Sequence, residues 1–386
     1  MDPTTAFCPN WHCHARGQIG QGNIGIHSRK EQRFICHECH KTFSATTGTV
    51  FYRLRTAAET VRLVVTLLAH GCPVQAIVAA FGFDERTVAD GWAHSGRQGQ
   101  AVHESLVEQP RDLGQVQADE LRVKTQGGIV WMALAMMVKT RVWLGGEVSA
   151  QRDVPLIRRL IERVKRCAAR RPLLVCTDGW VSSIRAIRET CRDPVHTGKG
   201  GRPRRRRWHN VLIAQVVKRY EQRRVVETEH RIVDGTPARV ATLQRRSQGV
   251  GVINTASMER LNATFREHLA PLARRCRALA RHTLTLHEGM FVVGTVSNFC
   301  IPHESLSLAQ KTTPAMAAGI TDHCWTIREL LSFHVPLSHW APPKRRGRPA
   351  QALQHLNAWC ELTHDSSNSR RPGKTSFHQA CPLVFS

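Results

Sequence analysis

Residues Leu173–Cys176 form an unbroken apolar run, followed by Thr177 and a carboxylate at Asp178. A half-solvated strand would alternate apolar and polar residues, so this run reads as a central strand covered on both faces. Such a strand needs partner strands beside it and helices on either side, which points to an α/β layer architecture. It also leaves Asp178 at the strand's mouth. Acids are scarce in this chain, with 30 Asp and Glu against 55 Lys and Arg.

The flanking pattern narrows the fold. Residues 113–121 alternate, and the strand is expected to end at Asp119. Residues 128–138 and 141–149 read as the second and third strands of a meander. Residues 154–170 are an amphipathic helix with Leu156, Leu160, Ile161 and Val164 facing inward. Residues 181–191 form another helix, and 258–282 a long one that Pro271 should kink. A meander, a helix, a parallel strand and then further helices is the order of a ribonuclease-H-like fold, expected over 113–335.

In that order the acids Asp119 and Asp178 sit on adjacent strands and converge, and a helical acid closes the set. Glu259 is the best third acid. Met258, Leu261, Phe265 and Leu272 make the apolar stripe of its helix. Glu259, Asn262 and Arg266 occupy another face, continued by Arg274, Arg277 and Arg281. A carboxylate, an amide and a line of arginines suit a metal-bound phosphate with its backbone trailing away. Three carboxylates in one place repel one another unless cations fill the space. Two Mg²⁺ or Mn²⁺ ions about 4 Å apart would do so. Glu120 is the main rival to Asp119, although strand alternation puts it on the opposite face. Glu147, Glu227, Glu229 and Asp234 are weaker rivals.

The N-terminal part reads differently. Cys8 and Cys13 form one pair, and Cys36 and Cys39 a C-x-x-C knuckle, with glycines and short alternating strands at 23–27 and 32–35 between them. Two knuckles on facing hairpins supply the four ligands of a structural Zn²⁺, so residues 1–52 read as a zinc ribbon. His12, His14, His37 and His40 stand close enough to substitute as ligands. Residues 53–108 read as a helix-turn-helix domain. Val61, Val64, Val65 and Leu68 mark its first helix; Val74, Ile77, Val78 and Phe81 give the second its buried face. Gly82 makes the turn, and Asp84 caps a third helix through Trp92. Arg86, Thr87 and Asp90 then lie near the outer face, where DNA would be met. Residues 109–114 are a linker.

A net charge of +25 and a pI near 10.6 point to a polyanionic partner, nucleic acid above all. Within 196–235, read as a basic insertion, Gly198–Arg207 is expected to be a mobile loop. Arg204, Arg205 and Arg206 would neutralise DNA phosphates. The basic tail 341–386 carries Arg346, Gly347, Arg348 and Pro349, which suit a minor-groove hook; residues 364–386 read as disordered. No signal peptide or bilayer span is expected, because the apolar run at 129–138 is too short. Thirteen cysteines without a disulfide-like framework fit a reducing cytoplasm.

Several long segments are familiar. "NIGIHSRKEQRF" and "HKTFSATTGTVFYRL", with the helix-turn-helix, resemble the N-terminal half of DDE-type insertion-sequence transposases. "ADEL", "TDGW", "NTASMERLNATFREHLAPLARR" and "TPAMAAGITDH" resemble the catalytic half of the same group, which includes the first-numbered bacterial insertion sequence. The resemblance spans about residues 8–331 and implies a catalytic triad of Asp119, Asp178 and Glu259. It also implies a DNA transposase that binds terminal inverted repeats, works as a dimer or higher assembly, and acts in a prokaryotic cytoplasm at the nucleoid. Two features depart from the group: His40 stands where glycine often follows the second knuckle, and Glu259 lies 81 positions after Asp178. A structure-directed nuclease and a non-catalytic DNA-binding regulator remain as alternatives.

Overall fold

The computed structural model describes residues 1–195, 203–222, 224–249, 252–273 and 279–337, all within the compact unit Met1–Ser338. Arg274, Arg277, Arg346, Arg348 and the tail 341–386 lie outside the described residues.

Three antiparallel strands open the chain: β1 (Ile24–Ser28), β2 (Arg33–Cys36) and β3 (Thr42–Ser44). Phe34 pairs with Phe43 across β2 and β3, with ring centres 5.9 Å apart. The small core beneath holds Ala6, Ala15, Ile24, Phe34 and Phe43, and otherwise Cys8, Cys13 and Cys36. So little apolar area cannot offset the ordering of this segment, which makes the cysteines decisive.

Three helices follow, α1 (Ala58–Ala69), α2 (Val74–Phe81) and α3 (Glu85–Leu106). α1 buries Val61, Val64, Val65 and Leu68, as their spacing predicts. Gly82 closes α2 at φ +66°, a conformation that glycine adopts without a Cβ penalty. Asp84 then caps α3, its Oδ1 accepting from the backbone N–H of Arg86 at 2.8 Å and of Thr87 at 3.4 Å. Two details differ from expectation. α2 buries Ile77 but leaves Phe81 exposed. α3 runs well past Trp92, because its second half is itself buried through Ser95, Gly96, Gly99, Val102 and His103.

The larger layer comprises β4 (Gln115–Thr125), β5 (Gly128–Met137), β6 (Trp143–Ser149), α4 (Val154–Cys167), β7 (Leu173–Asp178), α5 (Val181–Thr190), β8 (Arg192–Val195), β9 (Arg204–Arg207), β10 (Val211–Glu221) and β11 (Arg224–Asp234). It ends in α6 (Pro237–Gln248), α7 (Ala256–His268), α8 (Thr283–Phe299), α9 (Pro314–Ala317) and α10 (Ile327–Ser332). Six strands form one mixed sheet in the order β11-β10-β7-β4-β5-β6. β4, β5 and β6 are the expected antiparallel meander. β7 lies parallel to β4, and β10 parallel to β7.

Alternation along β7 divides the core. Leu174 and Cys176 pack with Leu212, Ala214, Val240, Leu243 and Ile253 under α6. Leu173 and Val175 face the other way, into the main core with α4 and α5. Trp143 anchors that core. Its ring meets His103, Phe265 and Phe291 at centre distances of 4.7, 5.8 and 5.4 Å. The Asn298 side chain brackets its backbone, accepting from Trp143 N and donating to Trp143 O, both at 2.9 Å.

Four expectations need correction. β4 does not end at Asp119 but continues to Thr125, held by pairing with β5. The helix read over 258–282 is broken: α7 stops at His268 and a short 3-10 turn spans Ala270–Leu272. Pro271 lacks an N–H and disfavours helical geometry in the residue before it, so the helix breaks where a kink was expected. The stretch read as an insertion is partly core, since β10 is an inner strand with Leu212 and Ile213 almost wholly buried. Arg204–Arg207, expected in a loop, pairs as β9 with β8.

Candidate active site and zinc cluster

Among the described residues, two groups of potential ligands gather closely enough to share an ion: Cys8, Cys13, Cys36 and Cys39, and Asp119, Glu120 and Asp178, with ligand atoms of each group within 4.8 Å of one another.

The cysteine group arises where the turn after β2 carries Cys36 and Cys39 up to the loop holding Cys8 and Cys13. Cys8 Sγ lies 3.6 Å from Cys39 Sγ, and Cys13 Sγ 3.8 Å from Cys36 Sγ. Four sulfurs at about 2.3 Å from a tetrahedral zinc stand about 3.8 Å apart, so the donor set and its spacing fit Zn²⁺. Burial pushes the Cys8 and Cys13 thiols above their ordinary pKa. They give up their protons when a cation takes their place.

The acidic group is set by sheet register. Gln115, Val116 and Gln117 of β4 pair with Leu174, Val175 and Cys176 of β7. Continuing that register by two residues puts Asp119 beside Asp178 on the same face, just past the last pair. Alternation should carry Glu120 to the other face. Its carboxylate nevertheless joins the group, which corrects the expectation. β7 ends at Asp178, so this edge of β4 is open there and a long side chain can bend round it.

Neighbouring elements hold the acids in place. Asp119 Oδ1 accepts from Glu120 N at 2.8 Å, and its Oδ2 accepts from Asn262 Nδ2 at 2.7 Å. Asp178 Oδ1 accepts from Trp180 N at 3.1 Å. Gln215 of β10 donates to the Asp178 carbonyl at 2.8 Å. Buried Gln117 fixes α7: its Oε1 accepts from Met258 N at 2.9 Å and its Nε2 donates to Asn254 O at 2.7 Å. Arg152, just before α4, contacts both Glu120 and Asp178.

The electrostatics match this crowding. Burial raises the Asp119 pKa, opposed by the Glu120 N–H and reinforced by the charge of Asp178. Burial, then the charge of Asp178, lifts Glu120 from 4.5 to about 7 despite the pull of Arg152. Carboxylates pressed together at low hydration favour a divalent counter-ion, and an all-oxygen donor set suits Mg²⁺ or Mn²⁺. Asn262 Oδ1 adds a second sign, because it is buried with no hydrogen-bond partner while Nδ2 of the same amide serves Asp119.

The other residues singled out from sequence fall as follows. Glu259 is not in the carboxylate group. It lies on the exposed side of α7, with Lys218 Nζ 2.6 Å from its Oε1. Asn262, read as a phosphate contact, is 3% exposed and its amide is committed to Asp119. Arg266 is half-buried on α7. Arg86 is exposed and Thr87 half-buried in the first turn of α3, and Arg204, Arg205 and Arg206 are exposed on β9. Sequence reasoning missed Gln117, Arg152, Gln215 and Lys218. Gln117 carried no signal of its own, because it sits with Gln115 and Asp119 on the polar positions of an alternating strand. Arg152 and Gln215 reach the acidic group, and Lys218 reaches Glu259, only through tertiary packing.

No protein-family model matches this chain, and no curated protein does. Among solved structures, the chain is similar to the piggyBac transposase synaptic complex with hairpin DNA. The TM-score is 0.32 and the identity 9%, over 85% of this chain and 80% of that one. A likeness this slight has no bearing on how the site is read. No described helix is long and apolar enough to cross a membrane.

Proposed function

We propose that this protein is a DNA transposase of the DDE type with a ribonuclease-H-like catalytic layer. The observation that carries the reading is the convergence of Asp119, Glu120 and Asp178 where β4 and β7 part. The resemblance of the quoted segments and the strongly basic charge support it. Asp119, Asp178 and Glu120 would hold divalent ions, which supply Lewis acidity for attack on a phosphodiester and for departure of its leaving oxygen. Asn262 orients Asp119 toward its neighbours. Glu259, the third acid implied by the resemblance, stays in the reading as a residue that enters the site by exchanging its pairing with Lys218.

The remaining parts take DNA-handling roles. The zinc ribbon and the three helices α1, α2 and α3 would bind the element's terminal inverted repeats, with Arg86 and Thr87 at the start of α3. Arg204, Arg205, Arg206 and Arg266 would neutralise backbone phosphates, as would Arg274, Arg346 and Arg348. Two element ends must be cut together, so the working form is a homodimer or larger. No serine or tyrosine nucleophile is required: water would hydrolyse the phosphodiester at the element end, leaving a 5′-phosphate and a free 3′-hydroxyl, and that hydroxyl would attack a target phosphodiester and displace its 3′-oxygen.

The test uses the zinc-loaded full chain, Mg²⁺, DNA carrying the repeats that flank the gene, and a target plasmid. Release of a 3′-hydroxyl and its joining to the target is the expected result. Cutting without joining would instead indicate a nuclease that resolves branched DNA. Binding with neither activity would indicate a regulator. Asp178→Asn should abolish both steps and leave DNA binding nearly intact; full activity in that variant overturns the site.

A further inference from the structure

A cation already stands within the acidic group. Arg152 Nη2 lies 2.6 Å from Glu120 Oε2 and 2.8 Å from Asp178 Oδ2. The guanidinium sits over the Trp180 ring at 4.6 Å and the Trp131 ring at 5.2 Å from their centres. Its two attachments are unequal. Glu120 Oε2 accepts from both Nε, at 3.1 Å, and Nη2, and its side chain is only 4% exposed. Asp178 accepts from Nη2 alone and is 40% exposed. An ion arriving from solvent therefore meets Asp178 first, at the contact that costs one hydrogen bond to open.

The same carboxylates are the ones proposed to hold divalent ions. A guanidinium and a divalent cation cannot both occupy the space before Asp178. The unpartnered Oδ1 of buried Asn262 is a second sign that a further donor belongs beside Asp119, as a bound ion's hydration water would provide.

We propose that Arg152 is an internal counter-cation that competes with divalent ions for Asp178. It holds Asp178 and Glu120 together before ions bind, then releases Asp178 while remaining tied to Glu120 between the two tryptophans. This rests on the metal-dependent site proposed above, and it adds a resident residue that sets how readily the site loads.

The experiment titrates zinc-loaded full-length protein with Mg²⁺, following heat by calorimetry and tryptophan emission in parallel. Wild-type protein should bind Mg²⁺ with a saturable emission change that Trp180→Phe removes or strongly reduces. Arg152→Gln should bind Mg²⁺ about tenfold more tightly, since a charge-assisted contact no longer has to be displaced, and its emission change should be lost. Arg152→Lys keeps the charge but not the planar fork, so it should also bind more tightly than wild type. It also serves as the conservative variant should Arg152→Gln fold poorly.

The alternatives separate cleanly. Tighter binding in Arg152→Gln but not in Arg152→Lys reduces Arg152 to general repulsion and overturns the competition. Equal affinity in all three proteins, with an unchanged emission response, overturns the role of Arg152 and leaves the metal site standing. Absence of Mg²⁺ binding in every form overturns the site itself, and the proposed function with it.

Discussion

Glu120 offers a direct measurement of how strained the acidic group is without divalent ions. Its pKa is 4.5 when solvated and about 7 in the fold, where burial and the charge of Asp178 oppose ionisation. Between those values the unfolded chain releases a proton that the folded chain retains. Stability from this residue is therefore full below pH 4.5 and falls as pH rises to about 7. At about 1.4 kcal/mol per unit, the loss above pH 7 approaches a value between about 3 and 4 kcal/mol, an upper bound because Arg152 stays paired with the ionised form. Glutamine keeps the shape of Glu120 without its charge. In Mg²⁺-free buffer with zinc retained, Glu120→Gln should match wild type near pH 4.5 and exceed it by about 2 kcal/mol at pH 8. The assay is urea unfolding at several pH values, read by circular dichroism. A variant less stable than wild type at pH 8 would show that Glu120 is an ordinary ionised partner of Arg152, and the crowding described here would be wrong.

Other outcomes follow from the same structure. If the four-cysteine cluster holds zinc, a chelator, or Cys36→Ser, should make residues 1–50 protease-sensitive while the six-stranded sheet persists, because the core of that segment is too small without metal; limited proteolysis with mass spectrometry checks this. Replacing Arg204, Arg205 and Arg206 together by Gln should lower the slope of log affinity against log salt by up to about 2.7, at about 0.9 per phosphate contact on duplex DNA. A slope unchanged from wild type would remove β9 from the DNA path. Gly294→Ala should destabilise the protein by about 2 kcal/mol in urea unfolding, despite the better helix propensity of alanine, since overpacking outweighs it. The added Cβ would come 2.2 Å from Cε3 of buried Trp143, with Phe265 and Phe291 leaving the ring nowhere to move.

The sequence by itself determined what depends on local pattern and spacing. The apolar run before Asp178 marked an inner strand, the valines of α1 marked its buried side, and Asp84 marked a cap. The two cysteine pairs marked a shared cluster, since soft ligands in a small core leave few alternatives. The order of strands already put Asp119 and Asp178 side by side, but tertiary structure alone decided that Glu120 joins them and Glu259 does not. β4 and β7 stop pairing two residues short of Asp119 and Asp178, and only that parting lets Glu120 bend round the open edge against its own alternation. Register fixes which residues of two distant strands stand side by side, and no feature within either strand encodes it. The same holds for Arg152, which meets Glu120 and Asp178 because α4 packs beside the sheet, and for Glu259, held at Lys218 because β10 is an inner strand. Contacts of that kind come from long-range packing, whose free energy is shared among many residues and leaves no periodic trace in the chain.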